Sequence, residues 1–187
     1  RLSRLSQTLL RLSALEQQSA PASLTEFSLD EQLRQVILRL EPTWSARGIS
    51  WQLDLNSVTV VSDEELLSHV WMNIIQNAIK FSPENAVIEV RVFATDTATG
   101  EITDHGIGMD DATVKRIFDR FYQADRSRKQ EGVGLGLCLV KRILDMLGGT
   151  VSVDSRPGEG STFRIHVPFR PKYDEAAHTG EREGKSP

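Results

Sequence analysis

The chain has 187 residues, 39% of them hydrophobic, which is enough for one good-sized core and a short appended element. Its 22 Lys and Arg residues are outnumbered by 26 Asp and Glu, so the formal net charge is -4, and this balance argues against binding to nucleic acid or to an anionic membrane surface. The single cysteine, Cys138, excludes an internal disulfide and a cysteine-based metal site, and no stretch reaches the roughly 18 to 20 apolar residues of a membrane span.

The first predicted element is an amphipathic helix at residues 1–18. Leucines recur there at spacings of three and four and form one apolar stripe: Leu2, Leu5, Leu9, Leu12 and Leu15. No capping residue precedes Arg1, so we expect this helix to begin upstream, and its stripe requires a partner helix. Ser and Pro then break the pattern, which predicts a linker over residues 19–27.

A second helix and a strand are predicted next. Ser28 and Glu31 have the spacing of a capping box, and the helix that they open should end near Pro42. Apolar and polar residues alternate over 49–55, which is typical of a half-buried strand, and residues 58–61 could supply its short partner.

A third helix precedes a predicted hairpin. Ser62 and Glu65 repeat the capping-box spacing, and the apolar stripe that follows runs to about Phe81. Residues 88–92 alternate, and residues 101–104 return as a strand after a turn, so a hairpin is the simplest interpretation.

The last predicted elements are a helix and a closing hairpin. The helix covers about 137–147 and should stop at Gly148, and the hairpin joins 150–154 to 161–167. Residues 171–187 lack apolar spacing and are predicted to be a disordered tail. Helices that interleave with antiparallel strand pairs favour a mixed sheet with the helices on one face, which is an α+β fold.

The third helix carries a row of polar side chains on a single face. His69, Asn73, Asn77 and Lys80 are spaced at i, i+4, i+8 and i+11, away from the apolar stripe. An amide oxygen suits Mg²⁺, and a lysine can reach a phosphate as a point charge. A solvated helix face would show the same spacing, so the row alone leaves both interpretations open.

Two glycine-containing motifs flank the polar segment 110–131. Asp104 ends a strand, and a carboxylate there can accept a hydrogen bond from an amino group such as adenine N6, while Gly106 and Gly108 let the backbone approach the ring. A tight turn is the alternative. Alternating glycines at 132, 134 and 136 open the last helix, where free N–H groups and the helix dipole favour phosphate. Neither a dinucleotide fingerprint nor a P-loop is present.

In this order the motifs resemble those of sensor histidine kinases, within the ATPase superfamily that includes gyrase, heat-shock chaperones and mismatch-repair proteins. The five similar motifs are Asn73-Ile-Ile-Gln-Asn-Ala-Ile-Lys-Phe-Ser (N box), Asp104-His-Gly-Ile-Gly (first glycine box), Ile117-Phe-Asp-Arg-Phe-Tyr-Gln-Ala-Asp-Arg-Ser-Arg (F box), Gly132-Val-Gly-Leu-Gly-Leu (second glycine box) and Gly158-Glu-Gly-Ser-Thr-Phe (third glycine box). Each motif is modest alone, but five in family order leave little room for chance.

The resemblance implies a two-layer α/β sandwich, in which a mixed, mostly antiparallel sheet packs on three helices, with ATP and Mg²⁺ as cofactors. Asn73 and Lys80 take the catalytic positions, and Asn77 is the implied Mg²⁺ ligand. The implied nucleotide contacts are Asn73, Asn77, Lys80, Phe81, Asp104, Gly106, Gly108, Phe118, Phe121, Gly132, Gly134, Leu135, Gly136, Leu137 and Thr162.

The same resemblance assigns the parts of the chain and its partners. Residues 1–18 look like the end of a dimerisation and phosphotransfer helix, and residues 28–170 like the ATP-binding catalytic domain. The phosphoacceptor motif, a His followed by Glu or Asp and then Leu-Arg, is absent, so the acceptor is expected on an upstream helix. The implied partners are those helices and the receiver domain of a response regulator. The bacterial parent is expected to be a homodimeric receptor anchored in the cell membrane, with this part in the cytoplasm, and the fragment alone is free to be monomeric.

Departures from the family pattern leave alternatives. Glu131 and Val133 stand where Gly and Thr are usual in the second glycine box. Hydrolytic relatives carry a Glu at the position of His69, and without a carboxylate there is no obvious base to activate water. Phosphoryl transfer is therefore favoured over a clamp ATPase of the same fold. A nucleotide-binding pseudokinase scaffold and a serine kinase are the remaining alternatives.

Overall fold

The computed structural model describes residues 10, 21, 23–123 and 134–170. The helix predicted over 1–18, except for residue 10, and the tail predicted over 171–187 lie outside these ranges. The same is true of residues 124–133, which include Gly132 of the second glycine box.

The described residues form seven strands and five helices. In chain order these are β1 (Thr25–Ser28), α1 (Leu29–Arg39), α2 (Glu41–Ser45), β2 (Ser50–Leu55), β3 (Thr59–Ser62), α3 (Glu64–Phe81), β4 (Val87–Ala94), β5 (Ala98–Asp104), α4 (Asp111–Val114), α5 (Gly136–Leu147), β6 (Thr150–Arg156) and β7 (Gly160–Val167).

Five strands form one mixed sheet in the order β2-β4-β5-β7-β6. The β2–β4 pair is parallel, because α3 carries the chain back across the sheet between them, and the other three pairs are antiparallel. Both predicted hairpins are present, as β4–β5 and β6–β7. The predicted mixed, mostly antiparallel sheet with helices on one face is confirmed.

A small second sheet corrects two predictions. Strand β3 pairs with β1, from Thr25 opposite Ser62 to Ser28 opposite Thr59, and not with β2. The Leu29 N–H extends this pairing to the Val58 carbonyl at 2.8 Å. The strand β1, which overlaps the end of the predicted linker over residues 19–27, therefore belongs to the folded unit. Sequence neighbours favour a β2–β3 hairpin, but β2 pairs in parallel with β4, and Val58 and Val60 at β3 are buried in the core.

The core lies between the sheet and the three longer helices, α1, α3 and α5. Along β4, Ile88, Val90 and Val92 point to the helices and are no more than 1% exposed. The apolar face predicted for α3 is buried throughout: Leu67, Trp71, Ile74, Ile75 and Ala78. A buried hydrogen bond from Trp71 Nε1 to Gln32 Oε1, 2.9 Å long, joins α3 to α1. The polar face of α3 is thereby turned away from the sheet.

Helix starts and ends differ in detail from the predicted capping boxes. Ser28 stands at the N-cap of α1, but its hydroxyl donates to Asp30 Oδ1 at 2.5 Å and does not cap the helix. The N-cap of α3 is Asp63, whose Oδ1 accepts from the Leu66 N–H at 3.0 Å, so Ser62 was the wrong residue. A carboxylate is a stronger acceptor than a hydroxyl, which explains both differences.

Helices α1 and α5 both end close to the positions predicted from the sequence. Helix α1 ends at Arg39, and Pro42 instead lies in the first turn of α2, where its missing N–H is tolerated. Helix α5 ends at Gly148 in a left-handed conformation, as predicted. Within the described ranges, no helix combines the length and the apolar content that crossing a membrane requires.

Candidate functional site

The polar face of α3 meets the beginning of α5. The Asn73 side chain is half-buried, and its Nδ2 donates to the His69 carbonyl at 2.8 Å. Its Oδ1 lies 2.7 Å from the position that a Cβ on Gly136 would occupy, so only glycine permits this approach without a shift. The N box and the second glycine box are therefore adjacent in space, as the resemblance implied.

Two other residues continue this face toward the end of α3. The Asn77 amide is half-buried and has no hydrogen-bond partner among residues 23–123 and 134–170, so its oxygen is available to a ligand. The Lys80 ammonium lies 4.6 Å from the centroid of the Phe81 ring, a cation–π contact. A positive charge, an aromatic ring and two amides thus line one side of the site.

Asp104 ends β5 on the helix side of the sheet and is 4% exposed. Burial raises the pKa of its carboxyl, although hydrogen bonds from the N–H groups of Gly106 and Ser161 act in the opposite direction. The Gly106 N–H bond is 2.9 Å long. A buried acceptor held by its own turn has the character required to recognise an amino group of a ligand.

The turn after Asp104 is wedged between two other motifs. A Cβ on Gly106 would lie 2.3 Å from the Phe81 carbonyl oxygen, and one on Gly108, where φ is +60°, would lie 1.8 Å from the Arg156 carbonyl oxygen. The Ile107 N–H donates to Phe81 at 3.4 Å, and the Ile107 carbonyl accepts from the Gly158 N–H at 2.8 Å. Larger residues at both glycines would separate the N box and the third glycine box from this turn.

Thr162, an implied nucleotide contact, lies on the sheet face opposite the helices. Buried Phe163 and Ile165 face the helices, so Thr162 faces the other way, where its hydroxyl lies 3.0 Å from that of Thr103. Ser161, which is opposite Asp104 in the β5–β7 register and 8% exposed, occupies the position beside the carboxylate. Strand parity in the sequence could have identified Ser161, since residues 161, 163 and 165 share a face.

The F box and the second glycine box are also joined. Phe118 packs partly buried against the core, whereas Phe121 is 53% exposed and has φ of +61°. The Phe121 N–H donates to the Gly134 carbonyl at 2.9 Å. Leu135 is buried and Leu137 half-buried at the start of α5. A backbone hydrogen bond thus joins the two motifs next to the start of α5.

Two neighbouring cavities flank the Asp104 turn. One, of 320 Å³, is lined by the end of α3 and by Gly106 and Ile107, with Arg47 as a further lining residue that belongs to none of the five motifs. The other, of 360 Å³, lies at the β6–β7 hairpin and is lined by Asp104, Ser161 and Thr162. No sequence signal pointed to Arg47, because it lies 26 positions before Asn73.

The donor groups of the site suit a cation that keeps most of its ligands from elsewhere. Within the described part of the chain, no group of three or more His, Cys, Asp or Glu side chains could hold a metal ion. Among the described residues, the amide oxygen of Asn77 is a neutral donor without a hydrogen-bond partner. This set fits Mg²⁺, which dehydrates reluctantly and is commonly held by one or two protein ligands together with substrate phosphates and water.

Several known proteins resemble this chain. Residues 62–171 match the family described as histidine kinase-, DNA gyrase B-, and HSP90-like ATPase. The circadian input-output histidine kinase CikA of Synechococcus elongatus is 32% identical over 167 residues, which are 86% of this chain and 22% of CikA. The structure of full-length ShkA in complex with AMPPNP is 28% identical with a TM-score of 0.80, and the match covers 89% of this chain and 35% of that one.

A shorter solved chain is matched almost in full. The mycobacterial sensor histidine kinase MprB is 26% identical with a TM-score of 0.71, over 80% of this chain and 99% of the MprB chain. By contrast, this chain spans about a fifth of the length of CikA. The family match covers more than half of the chain and includes the Asp104 turn and the polar face of α3. The chain therefore belongs to the family of histidine kinase-, DNA gyrase B- and HSP90-like ATPases.

Proposed function

We propose that this chain is the ATP-binding catalytic part of a two-component sensor histidine kinase, which transfers the γ-phosphoryl group of ATP to a histidine outside residues 1–187. The observation that supports the proposal is that the turn after the buried Asp104 carboxylate packs against the end of α3, where Lys80, Phe81, Gly106 and Ile107 line one cavity. A relative with a similar fold was solved with AMPPNP, an ATP analogue.

Each group has a role that follows from its chemistry. Asp104 accepts a hydrogen bond from the adenine amino group, while Lys80 offsets phosphate charge and Asn73 orients the phosphate chain. Gly134 and Gly136, with Gly132, allow backbone N–H groups at the start of α5 to approach the phosphates. Phosphoryl transfer needs chiefly positioning and charge stabilisation, so the domain supplies the cradle and the nucleophile comes from elsewhere.

Asn77 would hold Mg²⁺ through its amide oxygen. When bound, the ion would supply positive charge that stabilises the phosphates during transfer. The protein's own contribution is to fix the amide on a rigid helix whose opposite face is buried.

His69 favours transfer over hydrolysis. It lies one turn before Asn73, and its imidazole Nε2 is 3.8 Å from Glu65 Oε1 at the exposed end of α3. A carboxylate base directed at a water molecule is what hydrolysis would require, and position 69 does not provide one.

The partners follow from the sensor kinase assignment. The acceptor helices of the parent protein would present the histidine, and a response regulator receiver domain would then take the phosphoryl group. Residues 1–18 would be the end of the dimerisation helix of a homodimeric parent, a membrane-anchored bacterial receptor with this part in the cytoplasm.

Titration calorimetry with Mg-ATP tests the binding site directly. Asp104→Asn should weaken binding about 10- to 150-fold, because it removes a buried charged hydrogen bond. Asn77→Asp should also weaken binding greatly, since a second negative charge then faces the phosphates.

Asp96→Asn and Asn56→Asp are matched controls at exposed positions outside the site, and both should bind like the wild type. Wild-type affinity in Asp104→Asn would refute the adenine assignment. Steady-state phosphate release by the domain alone would favour a clamp ATPase instead.

A further inference from the structure

The Arg47 guanidinium caps the carboxyl-terminal end of α3. Its Nη1 donates to the carbonyl oxygens of Ile79 at 2.5 Å and Lys80 at 2.9 Å, and its Nη2 donates to that of Ser82 at 2.7 Å. The last carbonyls of a helix have no partner within the helix and carry its negative dipole end. A planar, permanently charged fork satisfies three of them at once, with its donors already arranged in one plane.

The backbone at Arg47 is held independently of its side chain. The Arg47 carbonyl accepts from the Asn85 N–H at 3.0 Å, and the Ser50 N–H donates to the Ala86 carbonyl at 2.9 Å. Strand β2 then pairs in parallel with β4. Removing the guanidinium therefore frees the end of α3 without releasing the loop from the sheet.

The same helix end contacts the Asp104 turn on its other side. The Phe81 carbonyl accepts from the Ile107 N–H at 3.4 Å and lies against Gly106. Arg47, Phe81 and Ile107 line one cavity of 320 Å³. The Lys80 carbonyl accepts from Arg47, and the Phe81 carbonyl accepts from Ile107. Both Lys80 and Phe81 are proposed to bind the nucleotide.

We propose that Arg47 is a positioning residue for nucleotide binding. It holds the last turn of α3, so that the Lys80 ammonium and the Phe81 ring stay in register with the turn that carries Asp104. Arg47 acts through this helix end and does not touch the nucleotide. The inference rests on the proposed function, because it assumes that Lys80 and Phe81 contact ATP.

Three variants test this role. Arg47→Met keeps the length of the side chain and loses all three donors, and it should weaken ATP binding about tenfold, the effect of losing charged hydrogen bonds. Arg47→Lys keeps the charge but not the fork, so its affinity should lie between those of Arg47→Met and the wild type. Arg39→Met is the matched control, an exposed arginine in the last turn of α1, and it should bind like the wild type.

Two readouts separate positioning from a general loss of stability. In the ligand-free protein, the Ile107 amide resonance should shift in Arg47→Met although the Arg47 side chain bonds the end of α3 and not Ile107, and amides of β6 should be unchanged. With a supplied acceptor domain, KM for ATP should rise while kcat stays within about twofold, because Arg47 does not reach the reacting phosphorus.

The outcomes distinguish the two proposals. A wild-type protein that does not bind ATP would overturn the proposed function. A wild-type protein that binds ATP, with Arg47→Met equally tight, would overturn the role of Arg47 alone. If Arg47→Met does not fold, Arg47→Lys decides the matter, since wild-type affinity in that variant together with an unshifted Ile107 amide contradicts the proposal.

Discussion

The Asp104 carboxylate is well placed to bind a ligand, but its burial is unfavourable for folding. It is buried at the end of β5, and burial penalises its charged form more than the N–H groups of Gly106 and Ser161 offset. Its pKa is therefore raised in the folded state. Such a group is typical of binding sites, where a ligand supplies the missing partner.

Asp104→Asn should stabilise the nucleotide-free protein, although it weakens ATP binding. The folded pKa of Asp104 lies above its unfolded value of about 3.9. The stability that protonated Asp104 gives the wild-type protein is therefore fully present below that value and is lost as pH rises through the folded pKa. The melting temperature of Asp104→Asn should therefore exceed that of the wild type by an amount that grows between pH 4 and pH 7. Thermal scans across this range check it, and an advantage that shrinks with pH would contradict the assigned direction.

At the scale of elements, α3 is seated on the sheet by one close contact. The Trp71 ring is fully buried and lies over Gly100 of β5, where a Cβ would come within 2.6 Å of Cη2 and 2.9 Å of Cζ3. Because the ring is also held by Gln32, it cannot move away cheaply. This contact sets the distance between the sheet and the helix that carries Asn73 and Asn77.

Gly100→Ala should lower the free energy of unfolding by about 1 to 3 kcal/mol, the cost of overpacking a core. Trp71→Phe removes the ring atoms that clash. Gly100→Ala should therefore lower the free energy of unfolding clearly less in the Trp71→Phe protein than in the wild type. Denaturant unfolding of the four proteins in a double-mutant cycle measures the coupling. Purely additive effects would mean that the ring and the added methyl group do not meet.

The sheet face opposite the helices carries a row of alternating charges across neighbouring strands. Asp54, Arg91, Glu101 and Arg164 stand opposite one another in the registers of β2, β4, β5 and β7. Arg164 Nε lies 2.5 Å from Glu101 Oε2, and Arg164 also pairs with Asp154. These carboxylates raise the pKa of Arg164, chiefly through the hydrogen bond with Asp154. Opposite charges directly across strands favour this register.

Arg164→Met should destabilise the fold by about 1 kcal/mol at low salt and by less in 1 M salt, because the pairs are partly exposed and screened. Arg156→Met is the control, since its pair with Glu159 is largely exposed and should contribute little. Chemical denaturation at both salt concentrations distinguishes the two. An equal effect of the two substitutions would show that the row adds nothing beyond isolated surface pairs.

At the scale of the whole molecule, the chain should not phosphorylate itself. His69 lies on the same helix as the proposed metal ligand, His105 beside the proposed adenine site, and His166 on the sheet face away from the helices, with Nδ1 3.0 Å from Thr99 Oγ1. The fourth histidine, His178, lies in the segment predicted to be a tail. In-line transfer needs a nucleophile about 3 to 3.5 Å from phosphorus, which we do not expect any of these positions to offer.

Incubation with γ-labelled ATP should leave the chain unlabelled, whereas the acceptor helices of its parent protein should gain an acid-labile, base-stable label when they are added. The unsupplemented reaction and an Asn77→Asp chain with the same helices serve as controls. A label of that kind on the chain alone would place an acceptor within these residues and overturn the proposed division of labour.

The sequence alone determined much of the fold and the order of the motifs that mark the candidate site. Periodicity and turn residues located the long helices and both hairpins, because amphipathic patterns and glycine stops are local properties. Motif order identified the N box and glycine boxes, of which Asn73 and Gly136, or Phe81 and Gly106, proved adjacent. The predicted caps were only partly right, since Asp63 and not Ser62 caps α3 and the Ser28 hydroxyl donates to Asp30 instead of capping α1, and spacing does not resolve such choices.

Only the tertiary structure decided the long-range choices. Strand β3 pairs with β1 although β2 precedes it in sequence, and Ser161 stands opposite Asp104 while Thr162 stands opposite Thr103. Arg47 reaches three carbonyls at the end of α3 from a loop 32 to 35 positions earlier in the chain. Strand partners and such contacts depend on which apolar faces are buried together, and that is a property of the whole core rather than of any segment.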